Sequence, residues 1–236
     1  MPYHLSNHIY ITQFRDELIL LDLKQDKYMI CFKEVSDVLL DLLEGKSPSF
    51  LSSEKEIIAN FIADGIVEEK ESLYLFSIDK KENSDGVENV DWRLPLDMTQ
   101  IPLSLEVLKA FLTLVKVNFF IKFRGFYAAI QLIKRSKKNK ENYKIPPQEE
   151  LCQLANIVNK ACLLYPTRTK CLEWAMTFVL LAIKRHWKCN LEIGIQNYPF
   201  MAHAWVECDG KVVMDEDSLR AGLGIILNEP FKQESV

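Results

Sequence analysis

The 236-residue sequence lacks a long uncharged apolar run, any paired Cys-x-x-Cys spacing and a strong net charge. Its richest apolar stretch, residues 103–133, is interrupted by four basic residues, which argues against a bilayer span. The first ten residues, MPYHLSNHIY, have neither the basic start nor the apolar core of a signal peptide. These absences predict a folded cytoplasmic protein without a membrane span.

Six cysteines are scattered along the chain, and with no sign of secretion they predict reduced thiols rather than a disulfide framework. Four residues are candidate ligands for a zinc ion. They are His186, Cys189, His203 and Cys208. Because the paired spacings of zinc sites are missing, and strand alternation separates His203 from Cys208, we expect no bound metal or other cofactor.

The net charge of −4 hides an uneven distribution, with −9 over residues 1–90 and +7 over residues 91–147. An acidic front third argues against nucleic acid as a partner, because phosphate contacts need clustered Lys and Arg. The basic middle, which includes RSKKNK at 135–140, indicates either a solvated helix end or a site for an acidic partner.

The first 80 residues read as a small module of strands followed by helices. Runs of apolar and β-branched residues predict three strands, HIYITQF, ELILLDL and KYMICF, between residues 8 and 32. Helical spacing predicts helices over 34–43 and 53–63, and the stretches GIVEE and SLYLF are interpreted as a closing hairpin. This order predicts a winged-helix-like module, and its negative charge argues against a winged-helix DNA binder.

The rest of the chain predicts a linker, residues 81–100, and a second domain, residues 101–236. Predicted helices cover 103–121, 123–137, 148–164 and 171–187, and predicted strands follow at 189–195, 202–207 and 211–215. The helix from residue 171 is apolar on nearly every face, which is typical of a helix inside a domain. The predicted fold class is therefore α+β.

Cys171 opens that apolar helix, and His203 and Asp215 lie on the strands that follow it. With Thr169 as the N-cap, the thiol would lie in the first helical turn, where free N–H groups and the helix dipole stabilise a thiolate. A thiol, an imidazole and a carboxylate are the groups that a cysteine hydrolase uses.

The turn between the last two predicted strands decides whether His203 and Asp215 face each other. With a two-residue turn at Asp209-Gly210, strand alternation puts the two side chains on opposite faces of the sheet. In that register, Glu216 or Asp217 would be the candidate carboxylate partner of His203 instead of Asp215.

A three-residue loop over residues 208–210 would instead pair His203 with Asp215 across the two strands. Asp followed by Gly, at the second and third loop positions, suits a bulged type I turn with a left-handed glycine. We therefore predict the three-residue loop.

Residues 194–207 carry the pattern G-x-x-x-x-P-F-x-A-H-A-W-V-E, which ends in V-V-M-D at 212–215 and follows K-C-L at 170–172. This pattern closely resembles the transglutaminase-like, papain-like core of the B proteins that process lasso-peptide precursors. The resemblance implies a cysteine endopeptidase that removes a leader peptide. In it Cys171 is the nucleophile, His203 the general base and then acid, and Asp215 the orienting carboxylate.

The same resemblance bears on the transition state and on partners. The backbone N–H of Cys171 and the side chain of Tyr165 are candidate oxyanion donors. The family works with an ATP-using lasso cyclase that resembles asparagine synthetase. Because the sequence has no GxxxxGK loop, we expect any ATP requirement to act through that cyclase.

The front module resembles the leader-recognition domain that some B proteins carry, a fold similar to a quinone-cofactor chaperone. In that domain the leader adds as a strand to the third strand and rests its apolar side chains on the last helix. The resemblance, carried over by position, implies five leader-binding residues. They are Tyr28, Ile30, Phe32, Ile57 and Phe61.

Two other functions use the same residues. A transglutaminase-like acyltransferase would use the same triad on a glutamine or thioester donor. A non-catalytic leader-binding protein would keep the front module and carry a decayed triad.

Overall fold

The computed structural model describes residues 2–46, 52–71, 78–88, 92–95, 102–138 and 142–231. The chain divides into two compact units, with the boundary between Ser84 and Asp85. The fold is mixed α/β, in agreement with the coarse prediction. The predicted strand SLYLF at 72–76 lies outside the described residues.

The first unit contains a four-stranded sheet in the order β4-β3-β2-β6 and a separate two-stranded sheet, β1-β5. Its strands are β1 (Tyr3–Leu5), β2 (Ile9–Phe14), β3 (Glu17–Asp22), β4 (Lys27–Cys31), β5 (Val67–Glu69) and β6 (Lys80–Lys81). The three predicted strands correspond to β2, β3 and β4, which pair antiparallel in chain order. The predicted stretch GIVEE supplies β5, which pairs with β1.

Two helices pack on this sheet, α1 (Lys33–Leu43) and α2 (Ser52–Ala63). The hydroxyl of Ser36 on α1 accepts from the backbone N–H of Leu18 on β3 and donates to the carbonyl of Cys31 on β4. Leu39 of α1 and Leu20 of β3 are fully buried in the same core cluster. The sheet therefore holds α1 by both an apolar contact and a polar bridge.

The described residues of the second unit form five α-helices and a four-stranded antiparallel sheet in the order β10-β7-β8-β9. The helices are α3 (Leu105–Phe119), which continues as a π-helical segment (Phe120–Arg124), α4 (Gly125–Ser136), α5 (Gln148–Leu164), α6 (Cys171–Lys184) and α7 (Leu219–Gly222). The strands are β7 (Asn190–Gln196), β8 (Met201–Cys208), β9 (Lys211–Val212) and β10 (Gly224–Glu229). The sequence did not predict α7 or β10.

Helix α6 lies inside the unit, as its apolar sequence predicted. Every residue from Trp174 to Ile183 is buried. The indole Nε1 of Trp174 donates to Oδ1 of Asn159 on α5 at 2.7 Å. Buried apolar area supplies most of the stability of such a helix, and this hydrogen bond fixes how α6 is rotated against α5.

Parts of the predicted linker, residues 81–100, are attached to the second unit. Gln196 of β7 accepts from the backbone N–H of Val87 at 2.7 Å and donates to the carbonyl of Val87 at 3.1 Å. The side-chain amide of Asn159 donates to the carbonyl of Pro95. The segment from Asp85 therefore belongs to the second unit's packing.

Within the described ranges, no helix has both the length and the apolarity that a bilayer span requires.

Gly194 on β7 lies against the side chains of Trp205 and Leu223, and adding a side chain at this position tests that packing. A Cβ at this position would collide with the indole of Trp205 and lie 2.8 Å from Cβ of Leu223. We expect Gly194→Ala to lower the free energy of unfolding by about 1–3 kcal/mol, because overpacking forces side chains from their rotamers. Urea denaturation measures this change.

The control for this prediction is the Trp205→Phe background, which removes the ring atoms that the new Cβ would meet. Gly194→Ala should cost less stability in that background than in the natural chain. An equal cost in both backgrounds would contradict the packing argument.

Candidate active site

Cys171 is the first residue of α6, and its side chain is partly exposed. The residue before the helix, in the N-cap position, is Lys170, so the prediction that Thr169 caps the helix was wrong. The carboxylate of Glu173 accepts from the backbone N–H of Lys170 at 3.1 Å, which stabilises the start of the helix from the third helical position. The Cys171 thiol therefore lies at the helix N-terminus, in the favourable end of the dipole.

His203 lies on β8, directly opposite Gly194 of β7. Its side chain is only 3% exposed. The ring plane of Trp205, two residues along the same strand, is inclined by 28° to the imidazole, with ring centroids 6.0 Å apart. The imidazole thus lies beside an indole and away from bulk water.

The turn between β8 and β9 has two residues, so the predicted three-residue loop is wrong. Glu207 pairs with Val212 and Cys208 pairs with Lys211. Asp209 and Gly210 have φ angles of 52° and 80°, the left-handed pair that a type I′ hairpin turn requires. The right-handed twist of the strands favours this turn over the bulged loop.

His203 and Asp215 nevertheless meet, because the strand does not continue to Asp215. The ladder ends after the backbone N–H of Val213 donates to the carbonyl of Val206 at 2.9 Å. Met214 then takes a left-handed φ of 55°, which breaks strand alternation. The argument that a two-residue turn separates His203 from Asp215 assumed a regular strand, and it was wrong for this reason.

Both oxygens of the Asp215 carboxylate have partners. Oδ2 lies 2.8 Å from Nε2 of His203, and Oδ1 accepts from the backbone N–H of Glu216 at 2.9 Å. The Met214 sulfur lies 3.7 Å from the Cys152 sulfur on α5, a contact from this segment to the helices. The carboxylate is therefore fixed in position before any substrate binds.

His203 also interacts with Cys171. Burial by itself lowers the pKa of His203, but the hydrogen bonds to Asp215 and to Cys171 outweigh burial and raise the pKa to about 9. Because Nε2 is engaged by Asp215, the ring has only Nδ1 left for the sulfur. The arrangement sets a carboxylate, an imidazole and a thiol in series, which suits proton transfer to and from sulfur.

A buried polar network that the sequence did not predict lies behind the histidine. Glu192 on β7 is fully buried and accepts from the Trp205 indole at 3.0 Å and from Arg220 Nε at 2.8 Å. Asn228 of β10 donates to the same carboxylate at 2.7 Å. Burial raises the pKa of Glu192 to about 7, although Arg220 acts against this.

This network was missed because a buried ion pair between residues 28 positions apart leaves no spacing signal in the sequence. The one sequence signal was Glu192, a charged residue inside the apolar strand LEIGI. A charge at such a position indicates a partner in the fold.

Tyr165, the candidate oxyanion donor, lies between α5 and α6. Its ring centroid is 6.2 Å from that of Phe111 on α3, and its backbone N–H donates to the carbonyl of Cys162. These contacts describe a side chain packed between helices, and a role toward the oxyanion stays a prediction.

The five residues predicted to bind a leader do not share one surface. Phe61 belongs to the core cluster of the first unit and is 6% exposed, and its role as a leader contact stays a prediction. Ile57 packs partly buried against the same cluster. Tyr28 and Ile30 alternate along β4 with the two residues that face that cluster, and therefore point to the other face.

Phe32, the fifth residue, follows β4 directly and is 66% exposed. It is the N-cap residue of α1. Strand β4 lies at the edge of its sheet in the described part of the chain. Phe32 therefore stands exposed at the end of an edge strand.

In the described ranges, no group of three or more His, Cys, Asp or Glu side chains is placed to hold a metal ion. His203, one of the four candidate zinc ligands, is engaged by Asp215 and Cys171.

Residues 113–228 match the family model described as the transglutaminase-like superfamily. The second unit therefore carries a transglutaminase-like domain, and all three site residues lie within the match.

The chain is also similar to the microcin J25-processing protein McjB of Escherichia coli. The two are 26% identical over 219 residues, which cover 92% of this chain and 96% of that protein. The similarity therefore includes the first unit as well as the second. No solved structure matches the chain significantly.

The raised pKa of His203 predicts a pH-dependent contribution to stability. The folded pKa of about 9 lies above the unfolded value of 6.5. The contribution is therefore fully present below about pH 6.5 and is lost as the pH rises through about 9. We expect Asp215→Asn to lower the free energy of unfolding by roughly 2 kcal/mol at pH 6, and by much less above pH 9.

Urea denaturation of the natural chain and the variant across pH 5.5–9.5 measures this difference. Asp217→Asn, which changes an exposed carboxylate two residues away, serves as the matched control. A stability difference for Asp215→Asn that stays constant with pH would contradict the assignment.

Proposed function

We propose that this protein is a cysteine endopeptidase that removes the leader peptide from a ribosomally synthesised lasso-peptide precursor. Removal would free the amino terminus of the core for macrolactam formation by a partner cyclase. The observation that carries the proposal is the series Asp215, His203 and Cys171, in which a buried imidazole lies between a carboxylate and a sulfur. Similarity to a microcin-processing protein supports a peptide precursor as the substrate.

The chemistry begins when Nδ1 of His203 holds the proton of the Cys171 thiol, which leaves a thiolate. The sulfur attacks the scissile carbonyl carbon and forms a tetrahedral oxyanion. As the first residue of α6, Cys171 has a backbone N–H without an acceptor inside the helix. That N–H can donate to the oxyanion, and the helix dipole has the matching sign.

Collapse of the tetrahedral intermediate breaks the C–N bond. The imidazolium of His203 gives its proton to the departing nitrogen, which becomes the new amino terminus of the core. The leader stays on Cys171 as a thioester. His203 then takes a proton from water as the water oxygen attacks the thioester carbon. The C–S bond breaks, the leader leaves as a carboxylic acid that loses its proton to solvent, and the Cys171 thiolate and His203 imidazolium are restored.

Asp215 supports both steps. Its carboxylate accepts the Nε2 proton of His203, which fixes the tautomer and leaves Nδ1 directed at the sulfur. It also stabilises the imidazolium, in line with the raised pKa of His203. Glu216 contributes its backbone N–H to this carboxylate rather than its own side chain.

We further propose that the first unit binds the leader. In the described part of the chain β4 is an edge strand, and an extended leader can add to such a strand by backbone hydrogen bonds. Phe32 would supply an exposed apolar contact at the end of that strand. Because both units lie on one chain, binding of the leader raises the effective concentration of the scissile bond at the active site.

Substitution of the three site residues tests the catalytic proposal. We expect Cys171→Ala and His203→Ala to lower the rate of precursor cleavage by about 10⁴-fold, and Asp215→Asn by about 10²–10⁴-fold. Mass spectrometry of a precursor encoded beside this protein measures the rate, with the partner cyclase and ATP present. Asp217→Asn is the control and should cleave at the natural rate.

The same spectra separate the two enzymatic functions. A peptidase yields two fragments whose masses sum to that of the precursor plus water. An acyltransferase would give amide exchange without chain cutting. Full cleavage by Cys171→Ala would rule out both functions as assigned to Cys171, and neither cleavage nor amide exchange by the natural chain would leave leader binding as the function.

Substitution of Phe32 tests the role of the first unit. We expect Phe32→Ser to raise KM for the full precursor by about tenfold while kcat at saturation stays unchanged, because the side chain contributes to binding alone. Ile145→Ser, which removes an apolar side chain that is 52% exposed in the second unit, is the matched control. An unchanged KM for Phe32→Ser would contradict Phe32 as a leader contact.

A further inference from the structure

Helix α3 and the π-helical segment after it carry an exposed apolar stripe. Its members recur every three or four residues and are 39% to 74% exposed. They are Leu105, Leu108, Leu112, Val115, Phe119 and Phe123. The last two form an aromatic pair with ring centroids 5.2 Å apart. Residues at this spacing lie along one side of a helix.

The stripe is not the side by which α3 packs into its own unit. Val107, Ala110, Leu114 and Val117 are at most 1% exposed and make up the buried side. At 100° per residue, the centres of the two apolar sides are about 160° apart. A surface helix ordinarily has one apolar side, which packs on the core of its own domain. A second apolar side on the opposite face indicates contact with another partner.

The shape of the stripe favours a helix as that partner. Between Leu105 and Phe119 the members follow a three-four spacing, and they fall within an arc of about 80°. Such a narrow seam is typical of helix pairing, in which knobs from one helix fill holes in the other. Helices that lie on a membrane present a broader apolar face.

The charge along the stripe indicates the partner's composition. Residues 102–138 contain eight basic residues and one acidic residue. That acidic residue, Glu106, is engaged by Lys109 at 2.8 Å and by Arg185 at 2.6 Å. Lys109 and Lys116 lie directly beside the stripe and are exposed. A partner helix with acidic residues beside its apolar seam would complement them.

A second copy of this chain does not supply that complement. In an antiparallel pair of α3 helices, Lys109 and Lys116 would face their own equivalents. In a parallel pair they would face Phe111 and Asn118, which carry no charge. Pairing of α3 with itself therefore leaves the basic flank without an acidic neighbour.

We propose that the stripe on α3 is a docking surface for an amphipathic helix of another protein, one with leucines on its seam and Glu or Asp beside them. The apolar seam would supply most of the affinity, and Lys109 and Lys116 would select an acidic partner and set its register. The proposal does not depend on the peptidase activity.

A synthetic helix tests the proposal. The probe is a fluorescein-labelled 21-residue peptide with Leu at the seam positions and Glu on both flanks, and the matched control peptide has Lys in place of each Glu. Fluorescence anisotropy with the full-length protein should show saturable binding of the acidic peptide, weakened by salt. The basic peptide should bind at least tenfold more weakly.

Variants on the stripe then locate the site. We expect Leu108→Ser with Leu112→Ser to weaken binding of the acidic peptide at least tenfold. Lys116→Glu should reduce the difference in affinity between the acidic and the basic peptide. Ile145→Ser, an exposed apolar residue away from the stripe, should bind like the natural chain. Because all four side chains are exposed, circular dichroism should show unchanged helix content.

Three outcomes would overturn the proposal. The first is no binding of the acidic peptide up to 500 µM, or equal binding of both peptides. The second is sedimentation of the natural chain, but not the Leu108 and Leu112 variant, with phosphatidylglycerol vesicles, which would assign the stripe to a membrane. The third is a dimer in sedimentation velocity that this variant abolishes, which would assign the stripe to a second copy.

Discussion

The hydrogen bond between His203 and Asp215 is the contact on which the candidate active site depends. It joins His203 on the central strand β8 to Asp215, which follows the end of β9. The backbone must therefore turn the Asp215 carboxylate back toward His203. The left-handed backbone at Met214 supplies that turn. A regular strand in the observed register would have directed Asp215 to the opposite face. A single unusual φ angle thus decides whether the imidazole has an acidic partner.

The surroundings of that bond are rigid for separate physical reasons. On one side, Trp205 lies along His203 and is tied through its indole to buried Glu192. The charge of Glu192 is tolerated inside the sheet because Arg220 and Asn228 both donate to it. On the other side, Cys171 lies at the start of an interior helix that is hydrogen-bonded to α5 through Trp174. Catalytic geometry of this kind relies on neighbours that fix each rotamer.

The proposed function would divide the work between the two units. The transglutaminase-like domain of the second unit would carry the chemistry, and β4, an edge strand in the described part of the first unit, would bind an extended peptide. Such a division would let the active site accept many local sequences, since affinity would come from a separate contact on the same chain. The apolar stripe on α3 adds a third surface, whose basic flank distinguishes it from the acidic first unit.

Sequence reasoning succeeded where one local pattern governs the outcome. Helical periodicity located α5 and the interior helix α6, and apolar, β-branched runs located β2, β3 and β4. It failed at the hairpin between β8 and β9, because one Asp-Gly pair suits two turn geometries. Spacing alone also does not separate a groove residue from a core residue, and Phe61 lies in the core cluster.

The sequence by itself determined which groups are present and in what order: a thiol at the start of an apolar helix, then an imidazole on a later strand and a carboxylate after it. Only the tertiary structure decided that these groups meet. Contact between His203 and Asp215 depends on the register of β9 and the backbone angle at Met214. Each of these is set by packing between segments far apart in the chain, and no local pattern encodes such packing.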